Sequence, residues 1–192
     1  MKFVTHKRSY YVINGITLYR IVAAPFLLML LFTGHYAIFK WLLLLSFFTD
    51  FIDGYLARKF MVASVFGTRL DSIGDDLTVL AAMVGLVVIK PAFIVEQKII
   101  FIVMAVLFVL QTVYALIRYG RISSFHTYLA KLAAILQGIF LILVFFTKEP
   151  ILFLFYTASL VTILELTEET IMVYFLPKWE ANVKGLYWVL KK

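Results

Sequence analysis

The chain alternates long apolar runs with short polar interruptions. Six runs approach the roughly 20 mostly apolar residues that cross a bilayer as a helix. They predict helices over Ile16–Phe32, Tyr36–Tyr55, Leu70–Ile89, Ile99–Arg118, Tyr128–Phe146 and Ile151–Phe175. Membrane β-strands would alternate apolar and polar positions, and these runs do not. The linkers are short, with no internal repeat or low-complexity stretch, so the expectation is one all-α membrane domain over residues 1–192. No small-residue cleavage site follows the first run, which reads as a retained helix and not as a removed signal peptide. A short N-terminal interfacial segment is expected ahead of it. The basic, aromatic stretch Trp179–Lys192 reads as an interfacial tail.

Composition agrees with that pattern. Hydrophobic residues make up 64% of the chain, charged residues 15%, and the mean hydropathy is +0.99. A soluble domain is nearer half apolar and a quarter charged, so an integral membrane protein is expected. The chain has no cysteine, which excludes disulfides, cysteine-held zinc, iron–sulfur clusters and a thiol nucleophile. A net charge of +7 can signal nucleic acid, but here the bases sit at the ends of apolar runs and suit anionic headgroups instead. No nucleic-acid partner is expected.

The positions of those bases predict orientation. Lys2, Lys7 and Arg8, then Arg58, Lys59 and Arg69, then Arg118, Arg121 and Lys131, and finally Lys178, Lys184, Lys191 and Lys192 fall on one side. Lys40, Lys90, Lys98 and Lys148 fall on the other. The bias places both termini in the cytoplasm by the positive-inside rule, in a membrane of the bacterial cell type.

Against this apolar background the stretch from Asp50 to Asp75 stands out. It reads Asp50-Phe-Ile-Asp53-Gly54-Tyr-Leu-Ala57-Arg58, then eight residues, then Gly67-Thr-Arg-Leu-Asp71-Ser-Ile-Gly-Asp75. Carboxylates near hydrocarbon are costly and mark function by default. Asp50, Asp53 and Gly54 share one face of the second helix, and Asp71 and Asp75 share one face of the third. Facing each other, four carboxylates would raise one another's pKa and destabilise the fold unless cations intervened. Oxygen-only ligands suit Mg²⁺ or Mn²⁺. Two such ions about 3.5–4 Å apart can clamp a diphosphate. Gly54 and Gly67 allow a ligand close to the backbone, and Ala57 keeps the face clear. The alternative is structural: interfacial aspartates solvated at helix ends or paired with Arg58 and Arg69. Asp76 lies outside the pattern.

The pattern resembles the signature of the CDP-alcohol phosphatidyltransferase family, D-x2-D-G-x2-A-R-x8-G-x3-D-x3-D, with every fixed position present. The resemblance implies a six-helix fold over most of the chain and an active site at the cytoplasmic face. It implies that Asp50, Asp53, Asp71 and Asp75 hold two metal ions. Gly54, Ala57, Arg58 and Gly67 would shape the pocket for the cytidine diphosphate part of the donor, and Asp75 would act as general base. The implied reaction moves the phosphatidyl group of CDP-diacylglycerol to a small cytosolic alcohol or polyol phosphate and releases CMP. A homodimer is also implied.

Upstream, Asn14, Thr17 and Arg20 recur at helical spacing. They resemble the N-x2-T-x2-R opening of phosphatidylglycerolphosphate synthases, which would set Asn14 and Thr17 in the nucleotide pocket and Arg20 on a phosphate or an aspartate. Helix capping with a snorkelling arginine is the simpler account. Arg118, Arg121 and Lys131, with His126 between them, make a candidate anion pocket for the acceptor, since arginine forks match phosphate. The same bases also serve the positive-inside bias. The synthases carry G-K-x-K-T-x2-Q nearby. This chain has Gly120-Arg121 and His126-Thr127 with a longer gap, and Ala130 in place of the glutamine. Glycerol 3-phosphate is the leading acceptor, with inositol or an inositol phosphate open.

Glu165, Glu168 and Glu169 interrupt the sixth run. They can reach a polar cavity, pair with Arg20, or break the helix in two. Ala81 and Gly85 form a small-x3-small pair suited to close packing. Two other classes compete. An ion-coupled transporter would spread its carboxylates across the bilayer, usually in inverted repeats. A prenyltransferase would hold its aspartate motifs far apart on a longer chain.

Overall fold

The computed structural model describes residues 7–59, 65–123, 125–180 and 183–191, and the side chains at 7–14, 51, 53–58, 65–69, 71 and 72 lie outside the described set. Among the described residues the fold is wholly helical: α1 Lys7–Phe32, α2 Tyr36–Lys59, α3 Val65–Ile89, α4 Pro91–Glu96, α5 Lys98–Tyr119, α6 Tyr128–Phe146, α7 Leu152–Phe175 and α8 Leu186–Leu190. The bounds of α6 match the apolar run. By contrast α1, α2 and α3 run past theirs into polar sequence, because hydropathy marks contact with hydrocarbon while backbone hydrogen bonds continue beyond it. The three glutamates do not break α7, which continues unbroken for 24 residues.

The chain divides into two compact units, residues 1–91 and 92–192. In the first, α1 packs on both α2 and α3. Its buried residues Thr17, Arg20, Ala24, Leu27 and Leu31 recur every three or four positions, the stripe a helix needs to face two neighbours. Small buried residues on α3, Ala81, Ala82 and Gly85, let the backbones approach. The hydroxyls of Ser46 and Thr78 are buried but bond to the carbonyls of Leu42 and Gly74 in their own helices, which removes the cost of their burial. Between α1 and α2 the chain reverses at Gly34, whose φ is 76°. Gly34 N–H bonds to Leu31 O and His35 N–H to Leu30 O, the paired bonds that close a helix on a left-handed glycine.

In the second unit α7 is the shared partner of α5, α6 and α8. Its buried stripe runs Phe155, Ala158, Ser159, Thr162, Leu166, Glu169, Met172 and Val173. At one end Phe93 of α4 joins Phe101, Phe140 and Phe155 in an aromatic cluster, with the Phe93 and Phe155 rings 4.9 Å apart edge to face. At the other end Val183, Leu186 and Val189 of the C-terminal segment pack with Ala115, Phe125, Met172, Val173 and Leu176. The tail therefore folds back on the protein, while Tyr187, Trp188 and Leu190 stay exposed.

Three helices are long and apolar enough to cross a membrane among the described residues: Gly15–Phe32 of α1, α5 and α6. The protein is an integral membrane protein. Its α5 leaves Ile99, Ile102, Val106, Val109, Val113 and Ile117 exposed, a face suited to acyl chains and unsuited to water. The remaining long helices, α2, α3 and α7, have similar length but carry carboxylates within it.

Candidate active site

Two of the four motif aspartates have described side chains, and the fold brings them together. Asp50 on α2 and Asp75 on α3 both accept a hydrogen bond from the same nitrogen, Nη1 of Arg20 on α1. Convergence on one atom brings an oxygen of each carboxylate to the same guanidinium nitrogen. The Arg20 side chain is wholly buried, whereas those of Asp50 and Asp75 are 40% and 45% exposed. The guanidinium thus lies beneath the carboxylates and leaves them accessible from the other side. Such charge-assisted bonds fix side-chain geometry as well as charge.

Gly74 leaves room beside this guanidinium for no side chain larger than a methyl. A methyl group added there would sit 3.4 Å from Arg20 Cζ and 3.5 Å from Nε, so the guanidinium lies directly against the α3 backbone. Gly74 falls among the unspecified positions of the motif, and no pattern in the sequence singles it out. Thr17 is buried one turn before Arg20 on the same stripe of α1. Asn14, Asp53, Gly54, Ala57, Arg58, Gly67 and Asp71 lie on α1, α2 and α3, but their side chains are outside the described residues. Among the described residues no group of three carboxylates or histidines is assembled.

Arg118, Arg121 and Lys131 each have partners of their own. Arg118 Nη2 donates to the carbonyl of Tyr174 at 3.1 Å, and its Nε to that of Leu176 at 3.3 Å, capping the end of α7. Tyr119 Oη donates to the Leu176 carbonyl too, at 2.9 Å. Arg121 stacks over the Trp179 ring at 5.3 Å, and Lys131 Nζ over Tyr128 at 5.6 Å. Arg121 and Lys131 remain exposed, as does His126, which holds a left-handed φ of 51°.

The glutamates of α7 find local partners that sequence could not assign. Glu169 Oε2 accepts from Gln111 Nε2 at 2.8 Å and from Ser123 Oγ at 3.0 Å, and Gln111 Nε2 also donates to Ser123. Glu165 hydrogen-bonds to Glu169 one turn later. Glu168 Oε1 accepts from Leu186 N–H at 2.9 Å at the start of α8.

With this geometry in view, comparison with known proteins is decisive on one point. The family described as CDP-alcohol phosphatidyltransferase matches residues 10–173. The chain belongs to the CDP-alcohol phosphatidyltransferase family. Among curated relatives of this phosphatidyltransferase-family chain, a CDP-diacylglycerol–glycerol-3-phosphate 3-phosphatidyltransferase of Cereibacter sphaeroides is 39% identical over 75 residues, 37% of this chain and 34% of the relative. The protein of the same name from Rickettsia typhi is 36% identical over 69 residues, 34% of this chain and 39% of its own length. A cardiolipin synthase (CMP-forming)/mitochondrial hydrolase fusion protein of Schizosaccharomyces pombe is 37% identical over 62 residues, 32% of this chain and 10% of that protein. The chain therefore spans well under half the length of these curated relatives. No solved structure matches it.

Proposed function

We propose that this protein transfers the phosphatidyl group of CDP-diacylglycerol to the hydroxyl of a small polar alcohol, with glycerol 3-phosphate as preferred acceptor and release of CMP. The observation that carries the reading is the convergence of Asp50 and Asp75 from separate helices over one buried arginine, inside a complete family signature. The names of the Cereibacter and Rickettsia relatives support the acceptor.

The donor set fits divalent cations: the four motif residues offer carboxylate oxygens only, and the two that are described, Asp50 and Asp75, are 40% and 45% exposed. Asp50, Asp53, Asp71 and Asp75 would hold two Mg²⁺ or Mn²⁺ ions. When bound, these offset charge on the diphosphate and on departing CMP. Arg20 fixes the Asp50 and Asp75 carboxylates and so acts as a positioning residue; its carboxylate contacts favour this role over binding the acceptor's phosphate. Asp75 takes the proton of the acceptor hydroxyl, the hydroxyl oxygen bonds to the phosphorus that carries diacylglycerol, and the bond from that phosphorus to the CMP oxygen breaks. Asn14, Thr17, Gly54, Ala57, Arg58 and Gly67 would receive the cytidine diphosphate. Arg121 and Lys131 are the better acceptor-phosphate candidates, since Arg118 caps α7.

We further propose six spans, with α2, α3 and α7 completing the set, both termini and the aspartates at the cytoplasmic face, and a homodimer. Acyl chains of the donor would then stay in the bilayer while its nucleotide meets the cytosol. The Ala130 departure favours a second reading with inositol or an inositol phosphate as acceptor.

The test is purified protein with CDP-diacylglycerol, Mg²⁺ or Mn²⁺ and separate acceptors: glycerol 3-phosphate, inositol, inositol phosphate, serine and phosphatidylglycerol. CMP release with glycerol 3-phosphate is expected. No CMP from any acceptor overturns the reading. Asp71→Asn and Asp75→Asn should each abolish turnover, and wild-type activity in either removes the metal-and-base assignment.

A further inference from the structure

The turn between α5 and α6 is held from several sides. Gly120 closes α5 with a left-handed φ of 68°, and its N–H bonds to Leu116 O. Phe125 and Thr127 are fully buried, and Thr127 Oγ accepts from Ala130 N–H at 3.0 Å to start α6. Trp179 Nε1 donates to Ile122 O at 3.1 Å. A further attachment is the ring of Gln111, Ser123 and Glu169. Gln111 is oriented further by Thr112, whose hydroxyl donates to its Oε1 at 3.3 Å. Glu169 is 9% exposed in a helix whose other buried positions are apolar or hydroxylic. A carboxyl so placed is costly in a membrane protein, and a packing role would be served as well by leucine. Besides its bonds to Gln111 and Glu165 within the helices, Glu169 grips Ser123, a residue of the turn, which leucine cannot do.

We propose that Glu169, through Gln111 and Ser123, is a positioning residue for acceptor selection. It fixes the described part of the turn between α5 and α6, which carries the exposed Arg121 and His126, and so sets where the acceptor's anionic or hydroxyl groups are met. This rests on reading that turn as the acceptor side in the proposed function. It also accounts for the departure from the synthase pattern. The gap between Gly120-Arg121 and His126-Thr127 is longer here, and Ser123 lies within it, supplying the anchor that a longer turn needs.

Two independent readouts test this. The chain has no cysteine, so Ile122→Cys can carry a single spin label on the exposed Ile122 position. Glu169→Leu should mobilise that label, Ser123→Ala should do so less, and Glu169→Gln should leave it near wild type because an amide still accepts from both donors. In steady-state transfer, Glu169→Leu should raise the KM of the acceptor by about tenfold or more with the donor KM unchanged, the scale of a misplaced binding group. Ser123→Ala added to Glu169→Leu should have no further effect. An immobile label in Glu169→Leu overturns the proposal. So does a mobile label with unchanged acceptor KM, or donor and acceptor KM rising together in Glu169→Leu and Ser123→Ala alike. If Glu169→Leu does not fold, Ser123→Ala and Glu169→Gln carry the same comparison. A wild-type protein that uses no acceptor defeats the functional reading instead, and the label still decides whether Glu169 holds the turn.

Discussion

Arg20 lies buried beneath two carboxylates that belong to other helices, and its removal would leave them facing each other. Arg20→Ala should therefore cut CMP release by at least about a hundredfold, the scale of losing a preorganised charge in a site of this kind. Gly74→Leu should do the same with Arg20 intact, since a branched side chain cannot share the space against the guanidinium and overpacking costs about 1–3 kcal/mol. Gly74→Ala should stay close to wild type, because its methyl would make ordinary contact at 3.4 Å. Turnover of the purified variants at equal amounts of folded protein checks all three. The aspartate spacing was legible in the sequence because it is local, within single helices. For Arg20 the resemblance offers a phosphate or an aspartate, and which aspartates it holds, 30 and 55 positions away, is not legible, because nothing in a linear pattern says which faces meet. Gly74 and the Gln111–Ser123–Glu169 ring escaped for the same reason, and only Gln111 and Glu169, polar residues in apolar runs, left a trace.

Among the elements, the long helices followed from apolar runs, but α4 and α8, of six and five residues, are too short to show a period. They exist because tertiary contacts hold them, Phe93 in the aromatic cluster and Leu186 beside Glu168. The apolar run Ile151–Phe175 predicts one helix and α7 is one, so of the three alternatives for its glutamates a break is the one that does not occur. Three glutamates look like an interruption, yet side chains do not decide helical hydrogen bonding when each has a partner. Thr162, Thr167 and Thr170 bond back to Ala158, Ile163 and Leu166 of the same helix. Two substitutions test element stability. Thr127→Ala removes the cap of α6 and should cost about 0.5–2 kcal/mol. Phe155→Ala opens the aromatic cluster and should cost about 3–5 kcal/mol. Unfolding in detergent should rank Phe155→Ala well below Thr127→Ala, and the reverse order would contradict the packing described.

At the scale of the molecule, orientation and metal dependence are the outcomes to measure. Single cysteines at Lys184 and Lys191 should react with an impermeant maleimide only from the cytoplasmic side, and one at Lys148 only from the opposite side. The same face for all three would overturn the six-span arrangement. Chelation of divalent ions should abolish transfer, and Mg²⁺ or Mn²⁺ should restore it; turnover that survives chelation would count against the two-ion site.

The arrangement of the second unit also bears on how the protein is made. Among the described residues α5 and α6 both pack on α7 and not on each other. Gln111 and Gln137 therefore leave the ribosome before Glu169 and Thr162, the groups that bond to them at 2.8 and 2.5 Å. Until α7 is synthesised, Gln137 lacks its Thr162 partner and Gln111, already held by Thr112 and Ser123, lacks Glu169. A nascent chain halted before residue 152 would hold α5 and α6 of this unit without α7, the helix on which both pack. Completion of the last long helix is the event that turns separate insertions into a folded unit.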